Sequence, residues 1–221
     1  MFLYYITDSR QLASERQERV RLLLQRIRAV ARAGVNAIQL REKDLSARDL
    51  TDVAMKAAEI IRAAATANKS TTQLLINSRV DVALACGADG VHLRSDDVSA
   101  ADARAVFMQG GLIRSTIAVS CHTVQEIELA EGQGADFAVF GPVFGKMGIE
   151  SSALGIAGLA QACRGRAAAK PAMPVLALGG IDLSNARECL EAGAAGIAGI
   201  RLFQSGNVEE TVWRLRKLTA R

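Results

Sequence analysis

One short pattern recurs four times along this chain and constrains its fold more than any other feature. Gly34-Val35-Asn36-Ala37-Ile38, Gly87-Ala88-Asp89-Gly90-Val91, Gly134-Ala135-Asp136-Phe137-Ala138 and Gly193-Ala194-Ala195-Gly196-Ile197 each follow a helical stretch and feed an apolar run. Glycine is the expected helix stop at such a place, because it takes the left-handed conformation without a Cβ penalty. The four glycines lie 53, 47 and 59 residues apart. That is twice the length of one strand-helix unit, so a second set of strands is expected between them.

Short aliphatic runs stand at the intervening places: 2–6, 73–76, 116–119 and 174–178. With 37–40, 90–93, 137–140 and 196–200 they make eight strands. Helical patterns are read over 16–33, 46–67, 80–86, 100–108, 124–132, 157–164, 185–192 and 208–219, with Ser46, Ser99, Thr123 and Ser184 as capping residues. Strict alternation through eight units predicts one closed parallel (β/α)8 barrel, a TIM barrel, with an open doubly wound sheet as the alternative. The length of 221 residues suits one such barrel. No linker or low-complexity segment divides the chain, so residues 1–221 are expected to form one domain.

Composition narrows the function classes. Half of the chain is hydrophobic but only 4% is aromatic, as expected for aliphatic strands covered by helices on the outside. A net charge of +4 from 27 basic and 23 acidic residues suits an anionic small molecule and argues against a nucleic-acid partner. The four cysteines, Cys86, Cys121, Cys163 and Cys189, are far apart and form no CxxC pair, which suggests free thiols in a reducing cytoplasm. No targeting segment or membrane-length apolar run is visible, so no membrane partner is expected. A homodimer is compatible with all of this.

In a barrel of this kind, function gathers at the loops that follow the strands. After the second strand come Gln39, Arg41 and Lys43 at alternate positions, which puts them on one face of an extended chain. Arg and Lys at a strand end suit a phosphate or diphosphate; the competing reading is an ion pair with Glu42. Asn77-Ser78-Arg79 follows the third strand and Arg94-Ser95-Asp96-Asp97 the fourth. Asp96 and Asp97 could offer oxygen ligands to Mg²⁺ or could cap the next helix. The fifth strand ends in Ser120-Cys121-His122-Thr123, where His122 can take and return a proton near neutral pH. His92 lies within a strand and is read as a packing residue. Gly179-Gly180 after the seventh strand and Gly199-Ile200-Arg201 at the eighth mark the usual phosphate site of barrels, where backbone amides approach an anion.

Taken together, these segments resemble the thiamin phosphate synthase/TenI family. The resemblance runs over nearly the whole chain, from Tyr5-Ile6-Thr7-Asp8 through Gly141-Pro142-Val143-Phe144 to Ala177-Leu178-Gly179-Gly180-Ile181. It implies one of two chemistries. Synthases join a hydroxymethylpyrimidine diphosphate to a thiazole phosphate, with Mg²⁺ assisting departure of diphosphate. TenI proteins tautomerise a thiazole carboxylate phosphate and require no metal. By this resemblance Gln39, Arg41, Lys43 and Asn77 match the diphosphate and pyrimidine pocket, Asp97 a metal-binding aspartate and Ser120 a pyrimidine-contacting serine. His122 matches the tautomerase acid/base, and Gly180 with the backbone near Gly199 to Leu202 matches the thiazole phosphate site, which makes Gly179, Ile200 and Arg201 candidates beside it.

The chain also departs from the synthase pattern. Ser78 stands where synthases usually carry a metal-binding aspartate, and Arg94-Ser95 where they carry Gly-Gln. A Pro-Thr-x-Thr-Lys phosphate grip is replaced by Gly145-Lys146-Met147-Gly148-Ile149, in which the displaced Lys146 is the candidate substitute, and Arg201 replaces a commoner serine. Loss of a carboxylate weakens Mg²⁺ binding where leaving-group charge develops. The sequence therefore favours the tautomerase with His122 as acid/base, with an active synthase as the alternative and a non-catalytic phosphate-binding regulator as the third class.

Overall fold

A computed structural model describes residues 1–68, 71–145, 153–164 and 172–219. Eight strands, β1 (Phe2–Ile6), β2 (Ala37–Leu40), β3 (Gln73–Asn77), β4 (Gly90–Leu93), β5 (Thr116–Cys121), β6 (Phe137–Phe140), β7 (Val175–Ala177) and β8 (Gly196–Gly199), pair in sequence order into a closed barrel. Every pair is parallel, and β8 closes on β1 with Phe2 opposite Gly196 and Tyr5 opposite Gly199. The helices are α1 (Arg16–Arg32), α2 (Ala47–Asn68), α3 (Val80–Cys86), α4 (Ala100–Gln109), α5 (Val124–Gly132), α6 (Gly155–Cys163), α7 (Ala186–Glu191), α8 (Arg201–Gln204) and α9 (Val208–Lys217). The predicted (β/α)8 barrel is the observed fold.

The recurring pattern has a structural cause at two of its positions. Gly34, Gly87, Gly134 and Gly193 all have positive φ, between 64° and 103°, as a helix stop of this kind requires. The third residue of the unit ties neighbouring strands together. Asn36 accepts from the amide of Leu3 (2.9 Å), Asp89 from Leu74 (2.7 Å) and Asp136 from Ile117 (2.7 Å). Each side chain thus satisfies an amide at the open end of the preceding strand. In the fourth copy Ala195 has no such side chain, and its carbonyl accepts from Phe2 on the following strand, β1 (3.0 Å), as the Asn36 and Asp89 carbonyls do from Gln73 and Thr116.

Alternation along the strands divides the core in two. Leu3, Tyr5, Ile38, Leu40, Leu74, Ile76, Val91 and Ile197 face outward into the shell of helices. Tyr4, Ile6, Ala37, Leu75, Ala118, Phe137, Val139, Leu176 and Ala198 form a separate cluster within the barrel. The scarce aromatics concentrate there, with the rings of Phe2 and Tyr4 lying 5.2 Å and 5.4 Å from that of Phe137. Below this apolar plug Gln73 Nε2 donates to Thr116 Oγ1 (3.0 Å) at the N-terminal ends of β3 and β5, and above it the inward residues at the C-terminal strand ends are polar.

Several boundaries differ from the sequence reading. β3 and β5 run on to Asn77 and Cys121, whereas β7 is shorter than 174–178. A 3₁₀ turn (Ser9–Gln11) and the four-residue α8 are additional; one turn carries no apolar period to read. Ser46, Ser99 and Thr123 accept bonds from first-turn amides as expected. Ser184 does not cap α7; it donates to Asp182 (2.6 Å), whose carboxylate organises that turn. Cys86, Cys121 and Cys189 are buried, Cys163 is half-buried, and no disulfide links them. Among the described residues no helix is long and apolar enough to cross a membrane.

Candidate functional site

Above the apolar plug, the last inward positions of four adjacent strands are polar: Gln39 on β2, Asn77 on β3, His92 on β4 and Ser120 on β5. Gln39 is buried, and its Nε2 donates to Asn77 Oδ1 (3.2 Å), while Asn77 Nδ2 donates to the Ser78 hydroxyl (2.9 Å). His92 spans Tyr4 and Ser120, with Nδ1 2.9 Å from the Tyr4 hydroxyl and Nε2 2.8 Å from Ser120 Oγ. Burial, then the charge of Arg41, lowers the His92 pKa to about 3, so the ring is neutral. The Tyr4 hydroxyl is wholly buried and makes this one hydrogen bond among the described residues, so it donates to Nδ1. Nε2–H then donates to Ser120 and leaves the serine proton for a ligand. The packing role read for His92 is therefore incomplete, because the residue also orients Ser120.

The expectation of three side chains on one buried face holds only for Gln39. β2 ends at Leu40, so strand alternation does not extend to the residues after it; Arg41 is half-buried and Lys43 sits exposed in a turn. The ion-pair reading of Arg41 with Glu42 is also overturned. Glu42 points to the other side, accepting from Thr7 Oγ1 (2.6 Å), Ser9 Oγ (2.5 Å) and the Ser9 amide (3.1 Å). Its burial raises the carboxyl pKa in spite of those donors. Arg41 and Lys43 have no ion-pair partner among the described residues.

Lys43 lies within the field of three guanidinium groups. Its pKa is lowered first by Arg41, then by burial, Arg94 and Arg10. Arg10 pairs with Asp8 (3.0 Å) and Arg94 with Asp96. Burial opposes ionisation of Asp8, but bonds from Arg10 and Gln11 hold its pKa below the usual value. Four cations therefore crowd one side of the barrel mouth. Arg10 was missed in the sequence because it follows β1 in an irregular turn, where charge has no diagnostic spacing.

Ser78 has φ +60°, an uncommon conformation for a non-glycine residue, and its amide donates to the His92 carbonyl (2.9 Å). Asp97 accepts from the Arg94 amide through Oδ2 (2.7 Å). Asp97, Arg94 and Ser120 line one cavity of about 210 Å³ that opens between α4 and α5. As a metal centre, these donors do not suffice. One oxygen of Asp97 is engaged, Asp96 is paired with Arg94, and Ser78 offers a neutral hydroxyl that already accepts from Asn77. Among the described residues no three His, Cys, Asp or Glu side chains form a group that could hold a metal ion.

On the other side of the mouth, the loops after β6 and β7 are laced together. Val143 and Phe144 amides donate to the carbonyls of Leu178 (2.8 Å) and Gly179 (3.0 Å). Gly180 has φ +65°, and a Cβ there would lie 2.7 Å from Phe144 Cβ and 2.8 Å from the Phe144 carbonyl oxygen. No other residue fits without moving that backbone. The amides of Gly179 and Gly180 have no partner among the described residues. Ile200 starts α8, and the first-turn amides of Arg201 and Leu202 lack intrahelical partners. Arg201 is exposed.

His122 sits between the two sides. Its Nδ1 lies 2.5 Å from the Gly141 carbonyl and must donate to it, which leaves Nε2 as the ring nitrogen turned to a ligand. Its amide donates to Glu126, the partner of Thr123 in a capping box on α5. Lys146 lies outside the described residues.

Comparison with known proteins adds to this geometry. Residues 3–203 match the family model described as thiamine monophosphate synthase. A thiamine-phosphate synthase of Roseiflexus castenholzii is 35% identical over 198 residues, 89% of this chain and 78% of that protein. A chloroplastic thiamine biosynthetic bifunctional enzyme of Arabidopsis thaliana is 33% identical over 93% of this chain, which spans only 36% of that longer protein. The solved structure of a thiamine phosphate pyrophosphorylase from Pyrococcus furiosus superposes with a TM-score of 0.78. It is 29% identical and is matched over 98% of this chain and 94% of its own.

Proposed function

The chain belongs to the thiamine monophosphate synthase family, and from that premise we propose that it joins a pyrimidine diphosphate to a thiazole phosphate. One observation supports this reading over the tautomerase favoured from the sequence: cations gather on one side of the mouth and backbone amides without a partner among the described residues on the other. The Arg10, Arg41, Lys43 and Arg94 group lies by β1, β2 and β4, and the open amides of Gly179, Gly180 and α8 lie by β7 and β8. A tautomerase would place the phosphate and the carboxylate of one substrate there, whereas coupling brings a diphosphate and a separate phosphate together, and a diphosphate suits the larger group of cations. The names carried by the relatives point the same way.

In this reading the bond between the pyrimidine methylene carbon and its diphosphate oxygen breaks, and the thiazole nitrogen supplies the electron pair for the new carbon–nitrogen bond. Diphosphate leaves with the electrons of the broken bond. Gln39 and Asn77 orient the pyrimidine, and the Ser120 hydroxyl, its proton directed outward by His92, donates to a ring acceptor. Arg41 and Lys43 hold the diphosphate as its charge grows, which is the stage at which preorganised donors matter most. The family's Mg²⁺ would have to draw most of its ligands from the substrates and water, given the donors available here.

The test is a pair of variants. Removal of one preorganised donor costs about 10²–10³ in kcat, so Arg41→Gln should lose roughly that much coupling activity. His122 carries the second reading, because its free Nε2 suits the proton shift of a tautomerase. His122→Asn should leave coupling within a few-fold of wild type while removing about 10²–10⁴ of any tautomerisation. Normal coupling in Arg41→Gln would remove that residue from the mechanism.

A further inference from the structure

Arg26 stands on α1, outside the barrel, and its whole guanidinium is directed at the backbone that ends α8. Nε donates to the Phe203 carbonyl (2.6 Å), Nη2 to Ser205 (2.8 Å) and Nη1 to Gly206 (3.0 Å). One planar fork thus meets three carbonyls at a helix C-terminus, a place where such acceptors otherwise go unmatched. No carboxylate pairs with Arg26 among the described residues.

The same turn is held from within. Gln204, buried at the end of α8, accepts from the Tyr5 hydroxyl (3.0 Å) and the Asp8 amide (3.2 Å), and donates to the Asp8 carbonyl (2.9 Å). A helix of four residues cannot fix its own position, because one turn has few internal bonds to offset the entropy of forming it. Its placement must come from these outside contacts, and Arg26 supplies three of them.

We infer that Arg26 is a positioning residue for phosphate binding: from α1 it fixes α8 so that the amides of Arg201 and Leu202 meet the thiazole phosphate, without touching the ligand. This rests on the proposed function, in which the β7 and β8 loops take that phosphate. An anion held by several amides at once is sensitive to their common placement, so displacement of the turn weakens all of those bonds together.

Calorimetric titration of the full chain with two ligands, the thiazole phosphate and its unphosphorylated alcohol, separates positioning from general stability. Arg26→Ala should weaken the phosphate ester roughly tenfold, about 1.4 kcal/mol, and change the alcohol by less than about twofold. Arg26→Lys keeps the charge but not the fork and should recover only part of the loss. It also serves as the readout if the alanine variant does not fold. Equal losses for both ligands, or none in a folded variant, overturn the inference. Gly180→Val reports on the premise separately. Unchanged affinity for the ester in that variant sinks the phosphate assignment and the Arg26 role with it. Selective loss in Gly180→Val but not in the Arg26 variants sinks the Arg26 role alone.

Discussion

Among the described residues the buried Tyr4 hydroxyl has one partner, His92 Nδ1, and that fixes the proton direction along Tyr4, His92 and Ser120. It also makes His92 a stability element with a definite pH signature. Its pKa in the folded protein is about 3, well below the ordinary histidine value, because of burial and then Arg41. A lowered histidine pKa means that the unfolded chain binds the extra proton. The stability contributed by neutral His92 is therefore complete above the unfolded value and is lost as pH falls from about 6.5 toward 3. Glu42 acts in the opposite sense: its raised pKa gives stability that is complete below the unfolded value and is lost as pH rises through the folded one. Wild type and variant must therefore be compared at each pH. Urea unfolding of His92→Gln between pH 7 and pH 4 should lack a slope of up to about 1.4 kcal/mol per pH unit that the wild type shows. Parallel curves would mean that His92 titrates normally in the folded chain.

Loop and helix boundaries, more than strands, set the precision of the site. Thr123 opens α5 with its hydroxyl on the Glu126 amide, and Glu126 returns a bond to Thr123 and one to the His122 amide. Thr123→Ala should cost about 1 kcal/mol, a fall in Tm of roughly 2–4 °C by scanning calorimetry. A loss near zero would leave the box without energetic weight. Thr123 was legible because a threonine followed three residues later by glutamate is a local signal. Ser184 was read as a cap on residue type alone, without a glutamate three residues on, and it is instead held by Asp182, whose carboxylate accepts from both the amide and the hydroxyl of Ser184. Gln39 was legible through the strand period and Asn77 through its place at a strand exit, and the period failed for Lys43 as soon as β2 ended at Leu40. Arg26 and Arg10 were illegible, since the first is one of several arginines on α1 and acts on a turn 177 residues away. The repeating glycines gave the barrel itself because each copy marks a helix stop beside a new strand.

At the scale of the whole molecule, the barrel separates two tasks. Its lower half holds the plug around Tyr4, Phe137 and Leu176, and the proposed chemistry belongs to the upper rim. The rim then divides into the cationic side and the amide side, with the Ser120 and His122 exits at β5 between them in the chain. That division is the basis for choosing a coupling reaction over a one-substrate isomerisation, against the weight that sequence reading gave to Ser78 in place of an aspartate. The most direct measurement presents purified protein in parallel with the pyrimidine diphosphate plus thiazole phosphate, and with the thiazole carboxylate phosphate alone. Expected is release of diphosphate together with formation of thiamine phosphate, both lost when either substrate is omitted. Tautomerisation of the carboxylate phosphate with no coupled product from the two-substrate mixture, under the same Mg²⁺ concentration, would contradict the account.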